Sequence, residues 1–127
     1  MKTGLIPRIL LSLVAALLLS SVSSAEVLKI VVNDTIQPIT EEYIARAIDE
    51  AQRRSDQAVL IEINTPGGLV ESTRHIIEKI TNSSVPVILY VTPSGSRAGS
   101  AGIFILEAAD VAATVVLNRM TAEVSEK

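Results

Sequence analysis

The sequence predicts an α/β fold built on a parallel sheet. Three observations carry that expectation: apolar, β-branched runs alternate with amphipathic helical stretches, the alternation continues along nearly the whole chain, and two of the apolar runs end in glycine-rich bends. Alternation of this kind belongs to strands joined by right-handed helical crossovers rather than to hairpins. In such sheets ligands bind at the carboxyl ends of the strands, which is where both glycine bends fall.

The first 25 residues stand apart. Lys2 and Arg8 precede the apolar run Ile9–Leu19, and small residues follow it up to Ser23-Ser24-Ala25. A basic start, a short apolar core and small residues at Ser23 and Ala25 read as an export signal over residues 1–25, cleaved after Ala25. The core is short for a comfortable bilayer span, and left uncleaved it would act as an N-terminal anchor. The chain has no cysteine, which excludes a lipid-anchored lipoprotein, disulfides and thiolate chemistry.

Val27–Val32 (VLKIVV) is almost continuously apolar, as expected of a strand covered on both faces. Asn33-Asp34 makes a turn. Thr40 is placed to cap a helix, with Glu41 and Glu42 in its first turn where carboxylates suit the helix dipole. Ile44, Ala47, Ile48 and Ala51 then recur at helical spacing, so residues Thr40–Arg53 form an amphipathic helix closed by the basic pair Arg53-Arg54. Ala58–Asn64 is a second strand that runs straight into Thr65-Pro66-Gly67-Gly68.

A second helix over Val70–Thr81 carries Ile76, Ile77 and Ile80 on one face and is broken by Asn82-Ser83-Ser84. Pro86 opens the third strand, Val87–Val91, at a position a strand tolerates. The bend Thr92–Gly102 follows, then a third helix, Gly99–Ala109, and a fourth strand-like run, Val111–Leu117. Residues 118–127 are polar and are expected to fray.

A chain of 127 residues, 48% of them hydrophobic, holds one modest domain. Its formal net charge is −3 and grows more negative if Lys2 and Arg8 leave with the signal. Tyr43, Tyr90 and Phe104 are its only aromatic residues. An acidic chain without a stacking platform is no partner for nucleic acid.

Ser100 carries the clearest chemical signal. At a helix start, free N–H groups and the positive dipole end stabilise negative charge developing on a substrate oxygen. Gly99, Ala101 and Gly102 keep the approach clear of side chains. The competing reading is structural: serine is a preferred helix cap, and the glycines merely allow a tight turn. Gly67-Gly68 admits the same pair of readings, an N–H donor to an oxyanion or an ordinary Pro-Gly-Gly turn.

The spacing of Gly95, Gly99 and Gly102 matches neither dinucleotide nor nucleotide phosphate loops. His75, the only histidine, falls within the second helix and reads as a solvated side chain. Glu62 and Asp110 form no metal-ligand spacing, so neither a metal nor any other cofactor is implied.

Asn64-Thr65-Pro66-Gly67-Gly68-Leu69-Val70, then Val85-Pro86-Val87, then Gly95-Ser96-Arg97-Ala98-Gly99-Ser100-Ala101-Gly102 with Ala108-Ala109-Asp110, resemble the NfeD-type membrane-bound serine proteases. These belong to the ClpP/crotonase-like superfamily. The resemblance runs from about Val27 to Asp110, and the ordered pair of motifs is far more specific than either bend alone. It implies a truncated ClpP/crotonase-like parallel β-α unit over residues 26–117, an incomplete serine protease domain.

By the same resemblance Ser100 matches the attacking serine, Gly67 and Gly68 match the strand-end glycines of the oxyanion hole, and Ala101 offers the other N–H. The family uses a Ser/Lys dyad, in which a lysine held neutral takes the serine proton. It acts on apolar peptide segments, including parts of stomatin-like membrane proteins, and its members commonly dimerise. Gly99 departs mildly from the alanine or serine more usual there.

A larger departure follows Asp110, where the family's lysine-bearing segment has no counterpart. Lys29, Lys79 and Lys127 do not fit the lysine's place, and no residue is carried over to that role. The expectation is an exported, periplasmic or membrane-associated protein, held at the membrane by its uncleaved N-terminal segment or by further C-terminal sequence. By itself this chain is expected to show little or no peptidase activity, since an unactivated serine is a poor nucleophile. The rival expectation is a non-catalytic module of the same fold that binds a peptide or a protease subunit.

Overall fold

The computed structural model describes residues 4–19 and 25–114. Helix α1 (Leu5–Leu19) lies within the expected signal. No helix among the described residues is long and apolar enough to cross a membrane. The expected cleavage segment before Ala25 and the polar tail 118–127 lie outside the described residues.

From Val27 onward, four strands alternate with three helices: β1 (Val27–Asn33), α2 (Pro38–Arg54), β2 (Ala58–Asn64), α3 (Val70–Thr81), β3 (Val87–Val91), α4 (Ala101–Ala108) and β4 (Val111–Thr114). The strands form one sheet in the order β1-β2-β3-β4, every neighbouring pair parallel. Each helix therefore carries the chain to the adjacent strand, and α2, α3 and α4 pack side by side in one layer. The fold is the parallel α/β unit that the alternation implies.

The expectation that β1 is covered on both faces does not hold. Ile30 and Val32 are buried, whereas Val27 and Val31 are half exposed. Sequential strand order with crossovers in one layer leaves the opposite face open. Across that open face Lys29 Nζ meets Glu62 Oε1 at 2.7 Å, which explains a charge in the middle of each strand. On the covered face Val59, Ile61 and Ile63 of β2 stand between Ile30 and Val32 of β1 and Val87, Leu89 and Val91 of β3, all buried.

α2 buries Ile44, Ala47, Ile48 and Ala51 against this face, as their spacing requires. A fully buried isoleucine contributes roughly 1.5–3 kcal/mol relative to an exposed one, so the sheet and its helix layer hold each other. The helix starts two residues earlier than expected, because Pro38 presets its first turn. Thr40 is consequently no cap: it is buried, and its hydroxyl donates to the Thr35 carbonyl at 2.8 Å. Gln37 holds the capping position without a side-chain bond.

The third expected helix is shorter than its apolar run suggests and begins at Ala101, since Gly99 and Ser100 belong to the bend. Asp110 fastens its far end: the carboxylate accepts the Val87 N–H at 2.8 Å, while the Asp110 N–H donates to the Val87 carbonyl at 3.0 Å. β4 is seen over Val111–Thr114, and the rest of the expected run to Leu117 lies outside the described residues.

Candidate active site

The two glycine bends, far apart in the sequence, become one structure at the carboxyl ends of β2 and β3. Side-chain amides begin the job. Asn33 and Asn64 are register partners at the ends of β1 and β2, and Asn64 Nδ2 donates to Asn33 Oδ1 at 2.9 Å. Asn64 Oδ1 then accepts the Arg97 N–H at 3.0 Å. Backbone bonds finish it: the Thr65 N–H donates to the Arg97 carbonyl at 2.8 Å and the Gly99 N–H to the Thr65 carbonyl at 2.9 Å.

The first bend is in turn sewn to the segment after β1. The Ile36 N–H donates to the Gly67 carbonyl at 2.9 Å, and the Leu69 N–H to the Ile36 carbonyl at 2.8 Å. A Cβ on Gly68 would stand 2.0 Å from the Ile36 carbonyl oxygen, so only glycine fits. Gly67 has φ 119°, a conformation that L side chains rarely adopt, and a Cβ there would lie 2.9 Å from the Ser100 Cβ. Gly99 is confined too: its Cβ would meet the Pro66 carbonyl oxygen at 2.7 Å.

Ser100 occupies the turn from this frame into α4. Its φ of 46° and ψ of −106° lie outside the regions favoured by non-glycine residues, and its side chain makes no capping bond. The capping reading of Ser100 therefore has no hydrogen bond behind it. Ser100 is exposed at the end of the bend, immediately before α4. Strain of this kind costs about 1–3 kcal/mol and persists only where the surroundings impose it.

Two backbone N–H groups beside Ser100, those of Gly68 and Ala101, meet no acceptor among the described residues. The Gly67 N–H is different: it is turned to the Thr65 hydroxyl at 3.2 Å. The positive ends of α3 and α4 lie next to these groups, since both helices begin immediately after the two bends.

From Ser100 a cleft of about 270 Å³ runs between α3 and α4. Val70, Thr73, Arg74 and Ile77 line one side, at the 3- and 4-residue spacing of a single helix face, and Ala101 and Phe104 line the other. Sequence reasoning missed this α3 lining, although that spacing was present in the chain. Thr73 is spent internally, its hydroxyl donating to the Leu69 carbonyl at 2.8 Å.

His75 is not part of the cleft. It is half exposed, with Nδ1 2.8 Å from Glu41 Oε1 on α2. Lys79 is paired with Asp49, and Lys29 with Glu62, both away from Ser100.

A single-layered parallel sheet with nested strand-end bends and a helix beginning at the second bend is the ClpP-like fold. Superposition supports this: ClpP1 of Listeria monocytogenes (an asparagine-to-aspartate variant) covers 77% of this chain with a TM-score of 0.59, at 21% identity that speaks for the fold alone. Within that class the chain belongs to the NfeD1b N-terminal-domain family, whose model matches residues 26–125.

The membrane-bound protease PH1510 of Pyrococcus horikoshii is 36% identical over 100 residues, 77% of this chain and 23% of that protein. The chain thus spans about a quarter of the length of this curated relative. A solved structure of the 1510-N membrane-bound stomatin-specific protease, a lysine-to-alanine variant in complex with a substrate peptide, is 31% identical with a TM-score of 0.71. It covers 73% of this chain, which in turn covers 42% of it.

Proposed function

We propose that this chain is the serine-bearing part of a membrane-associated serine endopeptidase that cleaves apolar peptide segments. The observation that carries the reading is Ser100, exposed and strained, beside two unengaged N–H groups at two helix starts. In the proposed reaction the Ser100 Oγ attacks the scissile carbonyl carbon while a general base takes its proton. Electrons move onto the carbonyl oxygen, and the Gly68 and Ala101 N–H groups donate to the resulting oxyanion. Collapse expels the amine, which takes a proton back, and leaves an acyl ester on Ser100 that water hydrolyses.

Gly67 acts differently from Gly68 in this scheme. Its own N–H faces Thr65, and its lack of a side chain makes room for Ser100. By family resemblance the base is a lysine, and it comes from outside the residues described here, because Lys29 and Lys79 are committed to carboxylates elsewhere. Membrane association is supported by the resemblance and by the names of relatives, export by the basic, apolar and small-residue pattern of residues 1–25, and a dimeric state by the resemblance alone.

The test uses the whole protein and an apolar peptide substrate. Cleavage is expected to fall at least about 1,000-fold in Ser100→Ala, as when a catalytic nucleophile is removed, and a fluorophosphonate probe is expected to label Ser100. Undiminished cleavage by Ser100→Ala would overturn the assignment. Peptide binding with no cleavage and no labelling would favour the non-catalytic module instead.

A further inference from the structure

We infer that Arg74 makes this cleft selective for a carboxylate beside the apolar anchor of its peptide. The inference rests on the peptide-binding reading of the same cleft and adds a chemical preference to it. The cleft presents mostly apolar surface, with Val70 74% and Phe104 59% exposed, so an apolar side chain laid between α3 and α4 would cover both. Arg74 is the one charged residue in the lining among the described residues.

Arg74 is available for a partner. Its side chain is 61% exposed, and its nearest carboxylate, Glu71 on the same helix, is 3.7 Å away and 69% exposed. A pair that open and that long is worth little, so a substrate carboxylate able to take the guanidinium's fork bidentately displaces it readily. The spacing is also suitable. Arg74 stands four residues beyond Val70, about 6 Å along α3 at roughly 1.5 Å per residue, and an extended peptide covers that distance in about two residues at roughly 3.3 Å each.

The carboxylate is therefore expected within about two residues of the apolar anchor. It can be an aspartate or glutamate side chain, or the peptide's own C-terminus. On a chain of net charge −3, a lone guanidinium in an apolar lining gives local complementarity that the overall charge opposes.

The test measures peptide affinity by fluorescence polarisation with the full chain carrying Ser100→Ala, which prevents turnover. Three C-terminally amidated peptides share one apolar sequence and carry Asp, Asn or Lys next to the anchor; a fourth has the Asn sequence with a free C-terminal carboxylate. The Asp peptide is expected to bind about tenfold tighter than the Asn peptide, the scale of one hydrogen-bonded charge, and tighter still than the Lys peptide.

Arg74→Gln should erase that difference and Arg74→Glu should reverse it, while Glu71→Gln should widen it. The fourth peptide shows whether a terminal carboxylate serves equally. Equal affinities for Asp and Asn peptides, or a preference that survives Arg74→Gln, would overturn the role of Arg74 and leave the peptide cleft standing. Binding of none of the four would overturn both readings.

Discussion

The two glycine bends sit side by side and share hydrogen bonds, yet they are built on opposite terms. The Thr65–Leu69 bend is closed in. Gly67 is buried with φ 119°, Gly68 lies against the Ile36 carbonyl, and bonds to Ile36 hold it on both sides. The Thr92–Ser100 bend is open at its tip, where Gly95 has φ 88° with no atom within 4 Å of where a Cβ would be. Its strain is concentrated at its end, on Ser100. One bend is a mould, and the other is the part the mould presses into an unfavoured shape. The difference teaches that glycine identity at the first bend is steric, whereas at the tip of the second it is only conformational.

Substitutions measured by chemical denaturation break or sharpen that contrast. Gly68→Ala is expected to be the most damaging, about 3 kcal/mol or more, because its Cβ meets fixed backbone rather than a movable side chain. A loss under about 1 kcal/mol would mean that the mould yields.

Gly67→Ala follows at about 2 kcal/mol from its positive φ and its contact with Ser100. Because it displaces the serine, it should also cut the proposed activity by about 100-fold, the cost of an ångström of misplacement. Retained full activity would show that Gly67 does not shape Ser100.

Ser100→Gly should move the other way, raising stability by about 1 kcal/mol, since glycine accepts the conformation that serine resists. Ser100→Ala keeps the Cβ and therefore the strain, and should leave the denaturation midpoint nearly unchanged. If Ser100→Gly destabilises instead, the serine is not strained and its capping role returns. Gly95→Ala is the smallest effect, a loss of about 1 kcal/mol from the left-handed conformation alone. A loss as large as that of Gly68→Ala would erase the distinction between the bends.

Much of the fold was legible in the chain because its signals are local. The limits of β2, α3 and β3 follow directly from β-branched runs, helical spacing and the breakers between them. Thr40 misled because cap chemistry and Pro38 point to different starts, and the fixed φ of proline prevailed. β1 misled because an apolar run looks the same whether one face or both are covered; coverage depends on where three later helices pack.

At the site, the order of the two motifs drew attention to Ser100, Gly67, Gly68 and Ala101, but not to how Gly67 and Gly68 differ. That depends on which way each peptide plane faces, and here one N–H is taken by Thr65 and the other is left open.

The sequence by itself determined the alternation of strand and helix, the parallel sheet and the placing of both bends at strand ends, because periodicity and turn chemistry act between residues a few positions apart. Only the tertiary structure decided that the bends share one frame, that Ser100 is strained rather than capping, and that Arg74 shares a cleft with Phe104. Those features arise from contacts between segments distant in the chain, where steric exclusion at Ile36, Pro66 and Thr65 selects one conformation among many that the local sequence allows.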